Sequence, residues 1–343
     1  MAPAAESAEV EVAGRTVTIS SPGKVFFKER GETKLDHVRY VMAVGEPLLR
    51  AIGGRPILME RYPDGASGKS FFQKRVPASA PDWLETVTVA TVNGTESDAL
   101  VAVDVAHLVW AVNLGCLGFH AWPTLAADPE HADELRIDLD PGPGVTFEMV
   151  RETAVEARAL LGEHGLTGFA KTTGRRGIHI YARLAPRFDA YQVRAAAVAL
   201  ARELERRRPE LCTWAWWKEE RGVRVFVDYN QNAPHKTVFS AWGARARVGG
   251  QVSAPFAWDE LATIEPDAMT IASVPLRVAA LGDPWATIGD HAEDLSSLLE
   301  RSAHDLASGM LDAPWPPVYP KQPNEPPRVA PSRARKAEPE ADG

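Results

Sequence analysis

The sequence predicts an α/β protein of the two-layer α+β kind, and two observations carry that prediction. Residues 134–229 alternate between short apolar runs typical of strands and longer amphipathic runs typical of helices, in the order strand, helix, two strands, helix, strand. That order is the split βαβ pattern of ferredoxin-like and RRM-like modules. Upstream of the module, residues 15–125 are expected to form an N-terminal α/β subdomain.

Each element follows from its local sequence. From Thr33, the segment "TKLDHVRYVMAVGEPLLRAI" places apolar residues at helical spacing, and Thr33 with Asp36 is typical of an N-terminal capping pair. In the module, Thr146 and Asp189 are the expected N-caps of the two helices, and Gly165 is expected to end the first. The strands are expected in "ELRIDLD", "TGFAKTT", "IHIYARL" and "VRVFVDY". This topology alone does not require the first and fourth strands to be neighbours.

The composition is that of a folded globular protein. Because the net charge is negative, any site that binds anions must be a local cluster of basic residues. Of 343 residues, 45% are hydrophobic and 24% are charged, and the formal net charge of −8 gives a pI near 5.7. Cys116 and Cys212 lie far apart, without the spacing of zinc ligands, so neither a disulfide framework nor a structural zinc site is expected. The N-terminus lacks a basic and apolar leader, and no apolar run approaches the roughly 20 residues of a membrane span, which predicts a cytoplasmic protein without a membrane partner.

The ends of the chain differ in composition from its centre. Residues 1–14 are small and acidic and are expected to form a flexible arm. Residues 313–343 are rich in proline and charge, which predicts a disordered tail. The folded part is therefore expected at 15–312, divided into a subdomain at about 15–125 and a module at about 126–300.

The acidic motif "RIDLDPGPG" ends the first strand of the module. Strand alternation sends Asp138 and Asp140 to one face, while Asp228 ends the last strand in "VFVDYNQN". A calcium loop of the EF-hand type is excluded, because counting from Asp138 places Gly142 and Met149 at ligand positions. A solvated strand end, a phosphatase of the Asp-x-Asp-x-Thr type, and paired divalent ions for phosphoryl transfer all stay open.

Basic and hydroxyl side chains accompany these carboxylates. The segment "KTTGRRGIHIY" offers Thr173, Arg176 and His179 around two glycines, which suits either an exposed hairpin tip or a phosphate-binding turn. Cations without a matching acidic run follow the last strand, at Lys236, Arg245 and Arg247. Together the segments offer oxygen ligands for metals and donors for a polyphosphate.

Three segments, "DLDPGPGV", "TTGRRGIH" and "VFVDYNQNAPHKT" with the following "RAR", resemble the three motifs of the archaeo-eukaryotic primase superfamily. The resemblance is strongest to the polymerase domain of bacterial non-homologous end-joining ligases and its stand-alone relatives. The N-terminal segments "SPGKVFFKERGETKLDHVRYV", "GRPILMERYPDG" and "SFFQKRVP" are similar to the same family, so the resemblance covers about residues 18–265. It implies a primase-like catalytic core.

The resemblance implies a role for individual residues. Asp138, Asp140 and Asp228 would be catalytic ligands of two Mn²⁺ or Mg²⁺ ions. The nucleoside triphosphate, as NTP or dNTP, would be contacted by Thr173, Arg176, His179, Lys236, Arg245, Arg247 and His120. Lys24 and Lys34 would bind the 5′-phosphate of DNA, and Phe71 and Phe72 would stack on template or overhang bases. Without the resemblance, the two lysines could equally be solvated surface residues, and of the two phenylalanines one could lie in the core and one on the surface.

The implied function is template-dependent nucleotide addition at gaps or double-strand breaks in DNA, with a preference for ribonucleotides. The implied partners are gapped or broken DNA with a 5′-phosphate, a separate DNA ligase and an end-binding protein, which would place the protein at the nucleoid. Thr173, Arg176 and Glu60 stand where relatives can carry Ser, Lys and a cation. The alternatives are a DNA-end-binding or bridging protein without catalysis, and a metal-dependent phosphatase or nuclease.

Overall fold

The computed structural model describes residues 6–92 and 94–333, which fold into two large sheets and three two-stranded ones, with helices packed against the large sheets. The strands of the first large sheet lie in the order Val238–Phe239, Cys116–Ala121, Pro56–Arg61, Glu96–Val101 and Thr86–Ala90, and Phe71–Gln73 also pairs with Pro56–Arg61. In chain order, the elements up to residue 121 are the strands β1 (Ser7–Val12), β2 (Arg15–Ser20), β3 (Val25–Phe27), β4 (Glu32–Thr33), β5 (Pro56–Arg61), β6 (Phe71–Gln73), β7 (Thr86–Ala90), β8 (Glu96–Val101) and β9 (Cys116–Ala121), and the helices α1 (Lys34–Ala43), α2 (Gly45–Ile52) and α3 (Val105–Asn113).

The helix predicted from Thr33 is present but is broken at Val44. Thr33 and Asp36 form the expected capping box, in which the Thr33 side chain accepts from the Asp36 backbone and the Asp36 side chain accepts from the Thr33 backbone. Pro47 explains the break, because inside a continuous helix it would lack a donor and would clash with the carbonyl one turn earlier. Restarting the helix at Gly45 moves that proline into a first turn, where it is tolerated.

The second sheet confirms the split βαβ module, with its strands in the order Phe169–Thr172, Ile178–Arg183, Glu134–Pro141, Val225–Asp228 and Cys212–Thr213. Thr146 and Asp189 cap the two long helices as predicted, and Gly165 follows the first at φ +73°. The first and fourth strands of the module, which the sequence left unplaced, are antiparallel neighbours. The elements here are β10 (Thr124–Leu125), β11 (Asp128–Ala132), β12 (Glu134–Pro141), α4 (Phe147–Glu163), β13 (Phe169–Thr172), β14 (Ile178–Arg183), α5 (Ala190–Arg207), β15 (Cys212–Thr213), α6 (Lys218–Arg221) and β16 (Val225–Asp228).

The two faces of β12 have different surroundings, because successive side chains along a strand point to opposite sides of the sheet. Leu135, Ile137 and Leu139 are buried in the core formed with α4 and α5. Asp138 and Asp140 lie on the opposite face, away from those helices. The helices therefore cover one side of the second sheet and leave the acidic side free.

The chain then returns to the first sheet through β17 (Val238–Phe239), which pairs with β9. Trp242, Val252 and Val274 are buried in the same core as the N-terminal residues. The predicted module at about 126–300 therefore does not pack as one unit, because residues 238–288 contribute to the first core as well. The remaining helices are α7 (Ser273–Leu281) and α8 (Ser296–Ala307).

Both predicted flexible ends are ordered over most of their length. Residues Ser7–Val12 pair in register with Arg15–Ser20, so the expected arm is a β-hairpin from residue 7 onward. At the other end, Trp315 is 3% exposed and Tyr319 is 6% exposed, so the predicted disordered tail packs on the protein through these aromatics. Residues 1–5 and 334–343 of the two predictions lie outside the described residues.

Two further expectations come from the composition, namely cysteines without disulfide bonds and a chain without a membrane span. Cys116 and Cys212 are free and buried, as expected for a chain without a disulfide framework. Among the described residues, none of the helices is long and apolar enough to cross a membrane.

Replacing Thr33 tests the start of α1. Thr33→Ala removes the capping acceptor and should lower the free energy of unfolding by about 1 kcal/mol, whereas Thr33→Ser keeps the hydroxyl and should lie close to the wild type. Urea unfolding followed by circular dichroism measures both. Equal stability of the wild type and Thr33→Ala would show that this cap contributes nothing to the fold.

Candidate active site

A row of ionisable side chains crosses the second sheet. Asp138 on β12 lies directly opposite His179 on β14 and, on its other side, opposite Asp228 on β16. His179 in turn lies opposite Lys171 on β13. Because directly paired residues on neighbouring strands point to the same face, the four side chains share the face that the helices leave free.

The acidic end of this row lines a cleft of about 490 Å³. The cleft brings together most of the predicted metal and nucleotide residues, namely Asp138, Asp140, Asp228, Thr173, Arg176, His179 and Arg245. It also contains Arg175, Gly177 and Gln231, which the sequence analysis did not single out. The strand ends and the hairpin between β13 and β14 therefore meet at one site, as the motifs predict.

Little positive charge compensates the three carboxylates directly. Burial raises the pKa of Asp138 to about 6, against the opposing charges of Lys171 and Arg245. Burial, followed by the charge of Asp138, raises the pKa of Asp228 to about 6, and the same two causes raise the pKa of Asp140. Folding therefore holds these groups ionised at neutral pH against an electrostatic cost.

The neighbour of Asp138 within hydrogen-bonding reach on β14 is a neutral imidazole. His179 Nε2 lies 3.1 Å from Asp138 Oδ1. Burial, followed by the charge of Lys171, lowers the pKa of His179 far below its ordinary value. His179 can therefore donate a hydrogen bond to Asp138 but supplies no positive charge near pH 7.

The turn after β16 holds the two central carboxylates from the other side. Gln231 Nε2 donates to Asp228 Oδ2 at 2.8 Å and to Asp138 Oδ2 at 3.3 Å. The backbone N–H of Asn230 donates to Asp228 Oδ1 at 2.9 Å. These neutral donors fix the direction of the carboxylates without cancelling their charge.

The chemistry of the site fits divalent cations. Aspartate oxygens are hard ligands of the kind that Mg²⁺ and Mn²⁺ prefer, and a bound cation would supply the missing positive charge. As the side chains stand, the described residues contain no group of three acidic, histidine or cysteine side chains that could hold a metal ion. The fit therefore rests on the donor set and its raised pKa values.

The hairpin between β13 and β14 is a fixed turn with arginines at its tip. Thr173 Oγ1 accepts from the backbone N–H groups of Arg175 and Gly177, at 3.2 and 3.1 Å. A side chain at Gly177 would approach the Leu139 carbonyl to 2.6 Å, so glycine is required where the hairpin crosses β12. The Thr173 hydroxyl therefore shapes the turn that presents Arg175 and Arg176 to the cleft.

The three cations after β17 occupy different positions. Arg245 donates from Nε to the Thr173 carbonyl at 2.7 Å, and burial lowers its pKa to about 10. Arg247 Nη1 lies 2.6 Å from Asp267 Oδ1, and Lys236 acts on Asp228 through its charge. Only Arg245 of the three is among the lining residues of the cleft.

His120 lies beside the cleft rather than in its lining. Its Nε2 is 3.2 Å from Glu60 Oε2, and its ring packs edge-on against Phe72 and Phe239. The stacking of Arg245 on Phe239, at 3.5 Å from the ring centroid, continues this contact series to the cleft. His120 therefore connects the exposed aromatics to the arginine side of the site.

The residues predicted to contact DNA lie on the first sheet, in the loop before β3 and at the start of α1. Lys24 Nζ is 2.6 Å from Asp64 Oδ1, whereas Lys34 is 6% exposed and its Nζ donates to the Ser20 carbonyl at 2.5 Å. Phe71 and Phe72 are 47% and 56% exposed. The alternative in which one of the two phenylalanines enters the core is therefore wrong.

Lys171 is the main ionisable residue at this site that sequence reasoning missed. It is fully buried, and its Nζ donates to Ser253 Oγ at 2.7 Å and to the Phe239 carbonyl at 3.1 Å. Alternation along β13 places it on the same face as Thr173, which is the signal that could have identified it. Its positive charge lowers the pKa of Asp138, and its bond to Phe239 on β17 joins the second sheet to the first.

Comparison with known proteins agrees with this geometry. A profile of the family described as "LigD, primase-polymerase domain" matches residues 33–285. The polymerase domain from Mycobacterium tuberculosis ligase D in complex with DNA has a similar structure, with a TM-score of 0.76 and 31% identity, covering 81% of this chain and 99% of that domain.

Curated relatives are longer proteins of non-homologous end joining. The multifunctional protein LigD of Mycolicibacterium smegmatis is 31% identical over 311 residues, which are 90% of this chain and 40% of that protein. The bifunctional protein LigD of Bacillus subtilis is 30% identical over 286 residues, which are 82% of this chain and 46% of that protein. The chain therefore spans less than half the length of these relatives.

Neutralising Asp138 should stabilise the metal-free protein. Its raised pKa means that the folded state loses stability as pH rises from the ordinary aspartate value through about 6, by an amount of the order of 2 kcal/mol. Asp138→Asn should therefore melt above the wild type at pH 7.5, and the difference should shrink at pH 5. Differential scanning calorimetry in chelator measures it, with Asp98→Asn at an exposed position of β8 as the control. A wild type at least as stable as Asp138→Asn at pH 7.5 contradicts a raised pKa of Asp138.

Proposed function

The chain belongs to the LigD primase-polymerase domain family, whose members are nucleotidyltransferases, and we propose that it extends primer 3′ ends on template DNA in non-homologous end joining. The observation that carries the proposal is the pairing of Asp138 with Asp228 across adjacent strands. It places two carboxylates side by side at the edge of a cleft that also contains Arg175, Arg176 and Arg245. This combination suits a metal-bound polyphosphate.

In the proposed reaction, the primer 3′-hydroxyl attacks the α-phosphorus of a nucleoside triphosphate. A phosphorus–oxygen bond forms to the primer, the bond to the β-phosphate bridging oxygen breaks, and pyrophosphate leaves. Two divalent ions held by Asp138, Asp140 and Asp228, either Mn²⁺ or Mg²⁺, would lower the pKa of the hydroxyl and neutralise charge on the leaving oxygens. The aspartates act as ligands, so the reaction needs no side chain as general base.

The protein's own residues bind and orient the triphosphate. Arg176 and Arg245 supply guanidinium groups that pair with phosphate oxygens, while Thr173 keeps the hairpin in the shape that presents Arg175 and Arg176 to the cleft. His179 Nε2 lies 3.1 Å from Asp138 Oδ1, so the imidazole packs beside this carboxylate. Lys236, Arg247 and His120 lie outside the cleft lining, so their contact with nucleotide requires a movement or a longer substrate.

The proposed DNA surface starts at Lys24 and continues to Phe71 and Phe72. Lys24 and Lys34 are joined by a backbone hydrogen bond of 2.8 Å from Lys34 N to the Lys24 carbonyl, which places them together where a loop meets the start of α1. Arg61 lies near both features, because its charge lowers the pKa of Lys34 after burial and the charge of Lys24 do, and its guanidinium stacks on Phe71 at 5.0 Å. We assign the 5′-phosphate to this basic loop and base stacking to the exposed phenylalanines.

The finer parts of the proposal rest on the family. Ribonucleotides are the proposed preferred substrates, gaps and double-strand breaks with a 5′-phosphate are the proposed sites of action at the nucleoid, and a DNA ligase and an end-binding protein are the proposed partners. The structural neighbour solved in complex with DNA supports DNA as the substrate class.

Primer extension tests the proposed reaction. On a gapped duplex with Mn²⁺ or Mg²⁺ and each ribo- or deoxynucleotide supplied separately, Asp138→Ala should lose at least roughly 100-fold in rate, because a metal ligand is removed. Asp98→Ala, which removes an exposed carboxylate from β8, should extend like the wild type. Wild-type rates in Asp138→Ala would contradict the assignment. Shortened primers or released phosphate would favour the nuclease or phosphatase, and binding without addition would favour the end-binding protein.

The 5′-phosphate assignment has a test of its own, based on the Lys24 to Asp64 ion pair. Lys24→Ala should weaken binding of gapped DNA with a 5′-phosphate roughly three- to tenfold, and Asp64→Asn, which frees the lysine, should strengthen it. Lys28→Ala, an exposed lysine nearby, is the control. Fluorescence anisotropy compares 5′-phosphate with 5′-hydroxyl DNA at fixed salt, since binding of this kind weakens with salt. Equal affinity of the wild type for both DNAs would sink the assignment.

A further inference from the structure

We infer that the C-terminal segment Asp312–Arg328, here called the strap, is a positioning element for the catalytic carboxylate Asp228. The inference rests on the proposed function, because it concerns the metal ligand that this function requires. The strap packs behind the 3₁₀ turn Tyr229–Asn232, which directly follows Asp228. The front of the same turn carries Gln231, whose amide contacts Asp228 and Asp138.

Asn230 joins the strap to the carboxylate. It is 1% exposed, and its side-chain Nδ2 donates to the Pro314 carbonyl of the strap at 3.0 Å. Its backbone N–H donates to Asp228 Oδ1 at 2.9 Å. Asn230 therefore connects the strap to Asp228 Oδ1, an oxygen that would have to point at a bound metal. A shift of the strap would move the Asn230 backbone N–H that orients this oxygen.

Arg194 on α5 strengthens this connection from the opposite side. Its Nε donates to Asn230 Oδ1 at 2.8 Å, and its Nη2 donates to the Ala313 carbonyl at 2.9 Å. The guanidinium stacks on Trp315 at 3.7 Å from the ring centroid. Arg194 is 1% exposed, so its charge depends on these acceptors. Loss of the strap would therefore weaken the bonds of Arg194 to Asn230 as well as those to the strap.

The strap is also fastened beyond the turn and within itself. Tyr319 donates from its hydroxyl to the Pro234 carbonyl at 2.7 Å, which secures the chain just after the turn. Glu325 accepts from the backbone N–H of Trp315 at 2.9 Å and pairs with Arg328 at 2.6 Å. The segment is therefore a closed loop that contacts Asn230 within the turn and Pro234 just after it.

An ordinary packed tail and a positioning element differ in what they affect. A tail that only contributes buried area changes the free energy of unfolding and leaves the site of the folded protein unchanged. A positioning element changes metal affinity and local opening of the turn while the protein stays folded. Residues that hydrogen-bond to metal ligands act as positioning elements in this sense, and replacing them typically changes metal affinity or activity by about 10- to 100-fold.

The test uses the full chain with four substitutions, and a fifth, Tyr319→Phe, is kept in reserve. Asn230→Ala removes the hydrogen bond from the Asn230 amide to the Pro314 carbonyl. Trp315→Ala removes the aromatic ring that stacks on Arg194, whereas Trp315→Phe keeps an aromatic ring there. Trp83→Ala, which removes a half-buried tryptophan from the first core, controls for lost stability. Two measurements are made well below the melting temperature. Calorimetry gives Mn²⁺ affinity without DNA or nucleotide, and amide hydrogen exchange of metal-free protein reports opening at residues 230–232.

Asn230→Ala and Trp315→Ala should weaken Mn²⁺ binding about tenfold and speed amide exchange in the turn, while Trp315→Phe and Trp83→Ala stay near the wild type in both. Primer extension should then need more Mn²⁺ for half-maximal rate, with the rate at saturation largely kept. If Trp315→Ala does not fold, Asn230→Ala and Tyr319→Phe decide the question.

The two proposals fail in different ways. Unchanged Mn²⁺ affinity and unchanged exchange in both Asn230→Ala and Trp315→Ala would overturn the role of the strap, even in an active polymerase. A wild type that neither binds Mn²⁺ nor extends primers would overturn the proposed function, and the exchange measurement on metal-free protein would still decide whether the strap holds the turn.

Discussion

The structure depends on one costly arrangement, the placement of Asp138 and Asp228 directly opposite each other on adjacent antiparallel strands. Two like charges in a partly buried position repel, and both pKa values rise to about 6 as a result of burial and, for Asp228, of its neighbour's charge. A slip of one residue in the register would send Asp138 into the core under the helices. The alternation of β12, with leucine and isoleucine on one face, holds the register and so holds the carboxylates together.

The remaining features surround that pair with fixed donors. Gln231 reaches both carboxylates from the turn after β16, and His179 reaches Asp138 from the next strand. A second buried network below the site joins the two sheets, since Arg136 on β12 pairs with Glu134 at 2.6 Å and donates to the Ala121 carbonyl on β9 at 3.1 Å. Buried charges of this kind are stable only when paired and hydrogen-bonded, which links the position of the catalytic strand to the first core.

The sequence predicts the local elements of the site well and the long-range contacts poorly. Capping residues, strand alternation and the split βαβ order are local signals, so Thr33, Thr146 and the face of Asp138 and Asp140 follow from them. The strap was predicted as a disordered tail because proline-rich composition does not reveal that Trp315 meets Arg194. The burial of Lys171, the return of residues 238–288 to the first core and the hairpin at residue 7 likewise depend on partners distant in the chain.

The central claim is that the carboxylates of Asp138, Asp140 and Asp228 hold divalent ions beside a triphosphate. Crystals grown with Mn²⁺ and a non-hydrolysable nucleoside triphosphate test it most directly, because anomalous scattering locates manganese independently of any activity assay. The account predicts manganese bound to these aspartates, with the triphosphate against Arg176 and Arg245. Manganese bound elsewhere, or a triphosphate seated in this cleft without manganese at the aspartates, would contradict it.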